Sequence, residues 1–169
     1  MIHIKKILIN LSTKSLLEDV KDYIKNNKCC SIYPNCSHPK TQSDINLLND
    51  ERFKELKEEI ISKLLQTFKN EKSMNINLMC WAYWQEKGNG IQEHKWHDHL
   101  MENKENQVSF IIYLTSTNLG TLFLDENKDK YLLVPDLGKM YVWDSKYLHS
   151  PDVGKINEDR IIIAGSFGF

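Results

Sequence analysis

Half of the six histidines in this chain fall within one short stretch, HKWHDH, at residues 94–99. In an extended strand, side chains at positions i and i+2 point to the same face. His97 and His99 therefore face one way if the stretch is extended, and Asp98 faces the other way. A His-x-His pair of this kind offers two ligands to a divalent metal ion, and imidazole suits iron, copper, nickel and zinc alike.

A third ligand has to come from elsewhere in the chain. His149, in the segment KYLHSPDV, is the one other histidine in the second half of the sequence. A β-roll brings such distant segments together on neighbouring strands. Taken singly, His149 is typical of a core histidine and the HKWHDH stretch is typical of a solvated loop. Together they favour a metal site formed by His97, His99 and His149.

Arg160 opens an apolar run, RIIIAGSFGF, near the end of the chain. A guanidinium buried among apolar strand residues needs an anionic partner, because burying it unpaired is costly. The partner could be a protein carboxylate such as Asp144 or Asp152. It could equally be the carboxylate of a small acid, which arginine can bind through two parallel hydrogen bonds.

The elements that must position these residues change character along the chain. The first half predicts two amphipathic helices, over 15–27 and about 51–70, with Asp50 as the cap of the second. The intervening residues 28–48 predict a loop. From residue 74 onward, about seven short apolar strands alternate with Asn, Gly, Asp and Pro turns.

This pattern predicts a mainly β protein with N-terminal helices, in the form of a sandwich or barrel-like roll. We expect a single domain over residues 1–169. Within it, residues 1–73 would supply an N-terminal strand and two helices that pack on the roll. Residues 74–169 would form the roll itself.

The composition argues against several classes of function. The net charge is -1 and lysines alternate with acidic residues, so nothing favours nucleic acid or an anionic membrane as a partner. No apolar stretch is long enough to span a bilayer, and the N-terminus reads as a strand, so we expect a cytoplasmic protein. Cysteines 29, 30, 36 and 80 then predict free thiols, and the Cys36/His38 region lacks the paired spacing of a zinc site.

The second half of the sequence resembles the iron(II)- and 2-oxoglutarate-dependent oxygenases, in particular small phage and marine-bacterial proteins with an HDH motif. The resemblance covers about 95 residues, Met74 to Phe169. The matching segments are HDH (97–99), VSFIIYL (108–114), GTLFLDE (120–126), VPDLGKMYVWDSKYLHSPDV (134–153) and RIIIAGSF (160–167).

The resemblance implies a double-stranded β-helix, the jelly roll also found in cupins, with Fe(II) at its open end. It implies that His97 and His149 bind the metal. It also implies that Arg160 binds the distal carboxylate of 2-oxoglutarate, helped by a hydroxyl such as that of Tyr113 or Ser166. The expected activity is hydroxylation of an unidentified small-molecule or peptidyl substrate, with O2 as cosubstrate and release of succinate and CO2.

The sequence departs from the family at one position. The usual motif is His-x-Asp/Glu, whereas here position 99 is a histidine. Either His99 replaces the carboxylate or Asp98 supplies it through a bent backbone, and His94 would lie outside the ligand shell. The alternative functions are therefore a three-histidine, cupin-type dioxygenase that does not need 2-oxoglutarate, and a cupin-like metal or ligand-binding protein without turnover.

Overall fold

The computed structural model of the protein describes residues 2–26, 46–68, 77–88, 90–91, 96–100 and 107–168. Within these ranges the helices are α1 (Thr13–Asn26), α2 (Lys54–Phe68) and two 3-10 turns, Leu47–Asn49 and Glu51–Phe53. The strands are β1 (Lys5–Leu8), β2 (Asn77–Gln85), β3 (Gly90–Ile91), β4 (Gln107–Tyr113), β5 (Thr121–Leu124), β6 (Lys130–Leu133), β7 (Lys139–Asp144), β8 (His149–Pro151), β9 (Gly154–Lys155) and β10 (Arg160–Gly168).

Two antiparallel sheets form the roll. The larger has the strand order β1-β7-β4-β10-β2, and the smaller has the order β6-β5-β8. Strands β3 and β9 form a separate pair. His97 bridges to His149 of β8, so the chain ahead of β4 joins the edge of the smaller sheet. The mainly β roll predicted from the sequence is confirmed.

The central strands β4 and β10 of the larger sheet are buried on both faces, which explains why they are continuous apolar runs rather than alternating ones. On one face, Ile161 and Ile163 of β10 pack in the core that contains the helices. On the other face, Ile162 packs with Tyr113 of β4 and with Phe123 of the smaller sheet. This second core is the inside of the roll, and it contains the candidate site.

The two helices cover the outer face of the larger sheet, as their apolar stripes predict. Their buried side chains are Leu16, Val20, Tyr23 and Ile24 of α1 and Leu56, Ile60 and Leu64 of α2. The Tyr23 ring meets Phe53 edge-on at a centroid distance of 5.6 Å, which holds α1 to the start of the second helical segment. No helix in the described ranges is long and apolar enough to cross a bilayer.

The N-terminal half differs from the prediction in detail. β1 does not merely pack on the roll, because it pairs with β7 and so extends the larger sheet. The Asp50 carboxylate accepts a hydrogen bond from the Arg52 N–H at 3.1 Å, but it caps a 3-10 turn that leads into α2. Cys80 is a buried free thiol. The other three cysteines and most of the predicted loop lie outside the described residues.

Candidate metal centre and carboxylate pocket

Cross-strand pairing brings two of the predicted metal ligands together. The His97 N–H donates to the His149 carbonyl at 3.1 Å, and the His149 N–H donates back at 2.9 Å. Residues that exchange both hydrogen bonds in this way stand directly opposite each other, so their side chains are neighbours. His99 lies two residues further along, and its N–H donates to the Ser145 carbonyl at 3.2 Å. The backbone therefore fixes all three histidines.

The three imidazoles form one cluster. One ring nitrogen from each of His97, His99 and His149 lies within 4.8 Å of the others, and the ring centroids are 4.4 to 5.0 Å apart. Such spacing fits a single divalent ion held by three nitrogen ligands. The structure thus brings together the residues that the sequence predicted as a metal site.

A backbone carbonyl orients one of these rings. His149 Nδ1 lies 3.0 Å from the Tyr147 carbonyl oxygen, which can only accept a hydrogen bond. Nδ1 therefore carries the proton, and the lone pair of Nε2 remains for a metal ion. Metal-binding histidines typically have a carbonyl or carboxylate partner of this kind, which sets the tautomer and the ring orientation.

Burial keeps two of the three histidines, His99 and His149, uncharged. It lowers the pKa of His99 to about 4 and that of His149 to about 3, with a smaller contribution from the neighbouring His97. Aromatic rings cause much of this burial: those of Trp143 and Phe123 lie 5.2 and 5.8 Å from the His149 ring. Both ligands are therefore neutral at pH 7, the state that binds metal.

Asp98, the alternative third ligand, points elsewhere. Its side chain is exposed, and its carboxylate accepts a hydrogen bond from the Leu100 N–H at 3.3 Å. The ligand cluster found in the described residues consists of imidazoles alone. His94, which we predicted to lie outside the ligand shell, falls outside the described residues.

Arg160 is buried inside the roll, with only 2% of its surface exposed. Its guanidinium lies between the rings of Tyr83 and Tyr113, at 5.9 and 5.8 Å from their centroids. Nη2 makes two long hydrogen bonds of 3.4 Å, to the carbonyl of Gly120 and to the hydroxyl of Thr121. Nε and Nη1 have no hydrogen-bond partner among the described residues.

The protein carboxylates considered as partners of Arg160 are engaged elsewhere. Asp144 pairs with Lys146 at 3.2 Å, and the Asp152 carboxylate accepts a hydrogen bond from the Val153 N–H at 2.8 Å. The cation therefore has donors available, and no ion pair with an acidic side chain is found for it in the described ranges. Of the two partners that the sequence left open, a bound acid is the one that this arrangement favours.

Two hydroxyls lie beside Arg160. The Tyr113 hydroxyl, predicted as a helper, is 2.7 Å from Thr121 Oγ1, which in turn contacts Arg160. Burial raises the pKa of Tyr113, so its hydroxyl stays protonated at neutral pH. Thr121 was not predicted, and the sequence offers no signal for it, since a threonine at the start of a strand is ordinary.

Strand β5 connects the residues around Arg160 with the three histidines. Phe123 pairs with His149, and Thr121 lies two residues earlier on the same strand. Two residues of an extended strand span about 7 Å. Side chains at Thr121 and Phe123 share a face, so Thr121 beside Arg160 and Phe123 beside the histidine cluster lie along one face of the smaller sheet.

Ser166 does not lie beside Arg160. It shares a face of β10 with Arg160, but six positions separate the two residues. At about 3.3 Å per residue, they stand about 20 Å apart along the strand. Ser166 instead stands opposite Ser109 of β4. The expectation that it helps Arg160 to bind a carboxylate is therefore corrected, because the spacing in sequence is too long for one small ligand.

Comparison with known proteins gives a match in fold. No protein-family model matches the sequence, and no curated protein is significantly similar to it. A prolyl-4-hydroxylase from Pseudomonas putida superposes with a TM-score of 0.64, with 13% identity, over 98% of this chain and 91% of its own.

Two further solved structures match equally well. A Trichoplax adhaerens prolyl hydroxylase, in complex with a hypoxia inducible factor peptide fragment, gives a TM-score of 0.67 with 14% identity, over 98% of this chain and 83% of its own. HygX from Streptomyces hygroscopicus, with nickel and 2-oxoglutarate bound, gives 0.66 with 11% identity, over 98% and 82%. The predicted double-stranded β-helix is thereby confirmed, and the chain has the fold of these hydroxylases and of HygX.

Proposed function

We propose that the protein is an iron(II)- and 2-oxoglutarate-dependent oxygenase that hydroxylates its substrate. The observation that carries this proposal is Arg160, a buried cation with unpaired donors beside a three-histidine cluster. An uncompensated buried charge is strongly destabilising. A small dianion that reaches both Arg160 and the histidines would satisfy the guanidinium and bind a metal ion with its other end.

The dimensions suit 2-oxoglutarate. With C–C bonds of about 1.5 Å, its two carboxyl carbons lie about 5 Å apart when extended. The step along β5 from Thr121 to Phe123, and hence from the Arg160 cluster to the His149 partner position, is about 7 Å. Arg160 and the Tyr113 hydroxyl would bind the distal carboxylate through charge-assisted hydrogen bonds. The 2-oxo acid end would face the histidines.

In this proposal His97, His99 and His149 hold the metal. When bound, iron(II) would supply oxygen activation coupled to conversion of 2-oxoglutarate to succinate and CO2. The protein's own contributions are orientation and exclusion of water. The Tyr147 carbonyl fixes the His149 ring, and the rings of Trp143 and Phe123 cover that ring from the inside of the roll.

Our proposal for the substrate class rests only on the structurally similar proteins. The Trichoplax adhaerens hydroxylase is in complex with a peptide fragment, and HygX has also been solved with hygromycin B bound. A peptide or a small molecule is therefore our proposal for the substrate, without a choice between them.

The ligand set also suits two alternatives. Because the cluster has three imidazoles and Asp98 is exposed, it also suits a cupin-type dioxygenase that uses O2 without 2-oxoglutarate, or a binding protein without turnover. Coupled assays distinguish the three. The proposed oxygenase releases succinate as it consumes O2, the alternative dioxygenase consumes O2 without succinate, and the binding protein does neither.

The decisive experiment is anaerobic titration of the Fe(II)-loaded protein with 2-oxoglutarate. We expect a visible metal-to-ligand charge-transfer band. Arg160→Ala should retain Fe(II) but weaken 2-oxoglutarate binding by about 100-fold or more, because it removes a charge-assisted contact of several hydrogen bonds. Arg52→Ala is the matched control. Arg52 pairs with Asp22 and Asp50 on the surface, so this variant should bind 2-oxoglutarate as the wild type does.

A wild-type protein that binds Fe(II) but shows neither the charge-transfer band nor calorimetric binding of 2-oxoglutarate would refute the proposal. Equal 2-oxoglutarate affinity in the wild type and Arg160→Ala would show that the acid binds elsewhere.

A further inference from the structure

Unpaired buried donors are concentrated on two side chains inside the roll. Among the described residues, the buried side-chain nitrogens without a hydrogen-bond partner are Nε and Nη1 of Arg160 and Nε1 of Trp143. A buried N–H that lacks a partner costs about 1 to 3 kcal/mol, so native proteins keep few of them. Arg160 is accounted for by the proposed cosubstrate. Trp143 has no such explanation yet.

Trp143 lies beside the histidine cluster. It is 4% exposed, and its ring meets the imidazole of His149 at 5.2 Å and the ring of Phe123 at 5.0 Å, both edge-on. In the sheet it stands opposite Ser109, whose hydroxyl is already paired with that of Ser145 at 2.8 Å. The indole ring thus lies beside the histidine cluster.

The chemistry of the site indicates what this donor would bind. Imidazole ligands contribute no negative charge, so in the proposed oxygenase the anionic oxygens next to a bound divalent ion come from the cosubstrate. An indole N–H can only donate, and a hydrogen bond to a carboxylate is stronger than one to a neutral acceptor. Phenylalanine would fill much of the same space, so the nitrogen itself requires an explanation beyond packing.

We infer that Trp143 is a cosubstrate-positioning residue, whose indole N–H donates a hydrogen bond to the carboxylate of 2-oxoglutarate at its metal-bound end. This inference rests on the proposed function. Arg160 and Trp143 would then hold opposite ends of one dicarboxylate, and their unpaired donors would both be satisfied by the same ligand.

Indole N–H resonances in the NMR spectrum of the 15N-labelled protein test this directly. The protein is loaded with Zn(II), a diamagnetic probe, and titrated with 2-oxoglutarate. We expect the Trp143 resonance to move to higher frequency on addition of the acid. The Trp84 resonance should stay in place, because its N–H already donates to Asp159 at 3.1 Å. Spectra of Trp143→Phe and Trp84→Phe assign the two signals.

Calorimetry on the same variants supplies the second measurement. Trp143→Phe should bind Zn(II) with wild-type affinity, but its dissociation constant for 2-oxoglutarate should rise about 10- to 100-fold, as expected for loss of one hydrogen bond to a charged group. Trp84→Phe should change neither constant by more than about twofold.

The outcomes separate the two proposals. If 2-oxoglutarate binds the Zn(II)-loaded wild type but the Trp143 resonance does not move, the role of Trp143 is refuted and the proposed function stands. If 2-oxoglutarate does not bind at all, both are refuted. The resonance test uses the wild-type protein, so it holds even if Trp143→Phe folds poorly.

Discussion

At the scale of single residues, burial keeps two histidines of the site, His99 and His149, neutral. The imidazole of His149 lies among the rings of Trp143, Phe123 and His97. Its Nδ1 proton is committed to the Tyr147 carbonyl. This arrangement keeps the His149 imidazole neutral and able to bind a metal ion at neutral pH. It also lowers the stability of the fold in acid, because the buried imidazole resists protonation whereas the same imidazole in the unfolded chain does not.

The pH dependence of stability should show this cost. The pKa of His149 is about 3 in the folded protein and about 6.5 in an unfolded chain. Between these values the unfolded state binds a proton that the folded state does not, so the free energy of unfolding falls as the pH drops. Above pH 6.5 the imidazole is neutral in both states, so His149 no longer makes the free energy of unfolding depend on pH. In the metal-free protein, His149 should contribute about 1.4 kcal/mol per pH unit within this window.

Urea unfolding of the metal-free protein at several pH values between about 6.5 and 4.5 measures the slope. His149→Gln removes the titrating group and should give a slope shallower by about 1 kcal/mol per pH unit. His3→Gln, which changes an exposed histidine near the N-terminus, should leave the slope as it is. Identical slopes for the wild type and His149→Gln would contradict the role of burial.

At the scale of elements, β5 links the two parts of the site. It pairs with β8 at the His149 position and presents Thr121 to Arg160 and Tyr113. Gly120, just before the strand, places its carbonyl within 3.4 Å of Arg160 Nη2. A Cβ at this glycine would overlap the backbone carbonyl of Leu133 on the neighbouring strand. The close approach of β5 and β6 therefore requires glycine here.

Gly120→Ala should push the start of β5 away from β6 and displace Thr121 from Arg160. We expect a loss of about 1 to 3 kcal/mol in stability and weaker binding of 2-oxoglutarate. Denaturant unfolding and calorimetry measure the two effects.

Gly88→Ala serves as the control, since its φ of +80° strains an alanine but the added Cβ meets no atom within 4 Å. It should cost about 1 to 2 kcal/mol and leave binding unchanged. Unchanged affinity in Gly120→Ala would argue against the proposed role of β5.

At the scale of the whole molecule, the larger sheet separates two cores with different tasks. The outer core, between sheet and helices, is apolar and supplies stability. The inner core contains Tyr113, Tyr141 and Trp143 beside the histidines and Arg160. It therefore combines closely packed aromatic rings with polar and charged side chains. The candidate metal ligands come from segments on either side of β4 to β7, so binding of a metal ion by all three requires the folded roll.

Metal binding should therefore stabilise the whole fold. A ligand present at 100 times its dissociation constant, and bound only by the folded state, adds about 2.7 kcal/mol. For a chain of this size, that corresponds to a rise in Tm of about 5 to 10 °C. Thermal unfolding with Zn(II) and with a chelator measures the shift. His99→Ala should abolish most of it, and a full shift in that variant would show that the metal binds elsewhere.

Much of the fold could be predicted from local patterns. The stretch KMYVWD was predicted as a strand and forms β7 with the same bounds, 139–144. The stripe over 15–27 forms α1 within two residues at its start and one at its end. The two-residue strands β3 and β9 were missed, because pairs so short leave no periodicity in the sequence.

The sequence alone determined that His97 and His99 point to the same face of one extended segment and that a buried Arg160 needs an anionic partner. Both follow from local chemistry: strand alternation, and the cost of burying a charge. Only the tertiary structure decided that His149 stands opposite His97, that Asp98 points to solvent and that Thr121 joins Arg160. These depend on the register between strands distant in the chain, which the packing of the whole roll sets and no local pattern encodes.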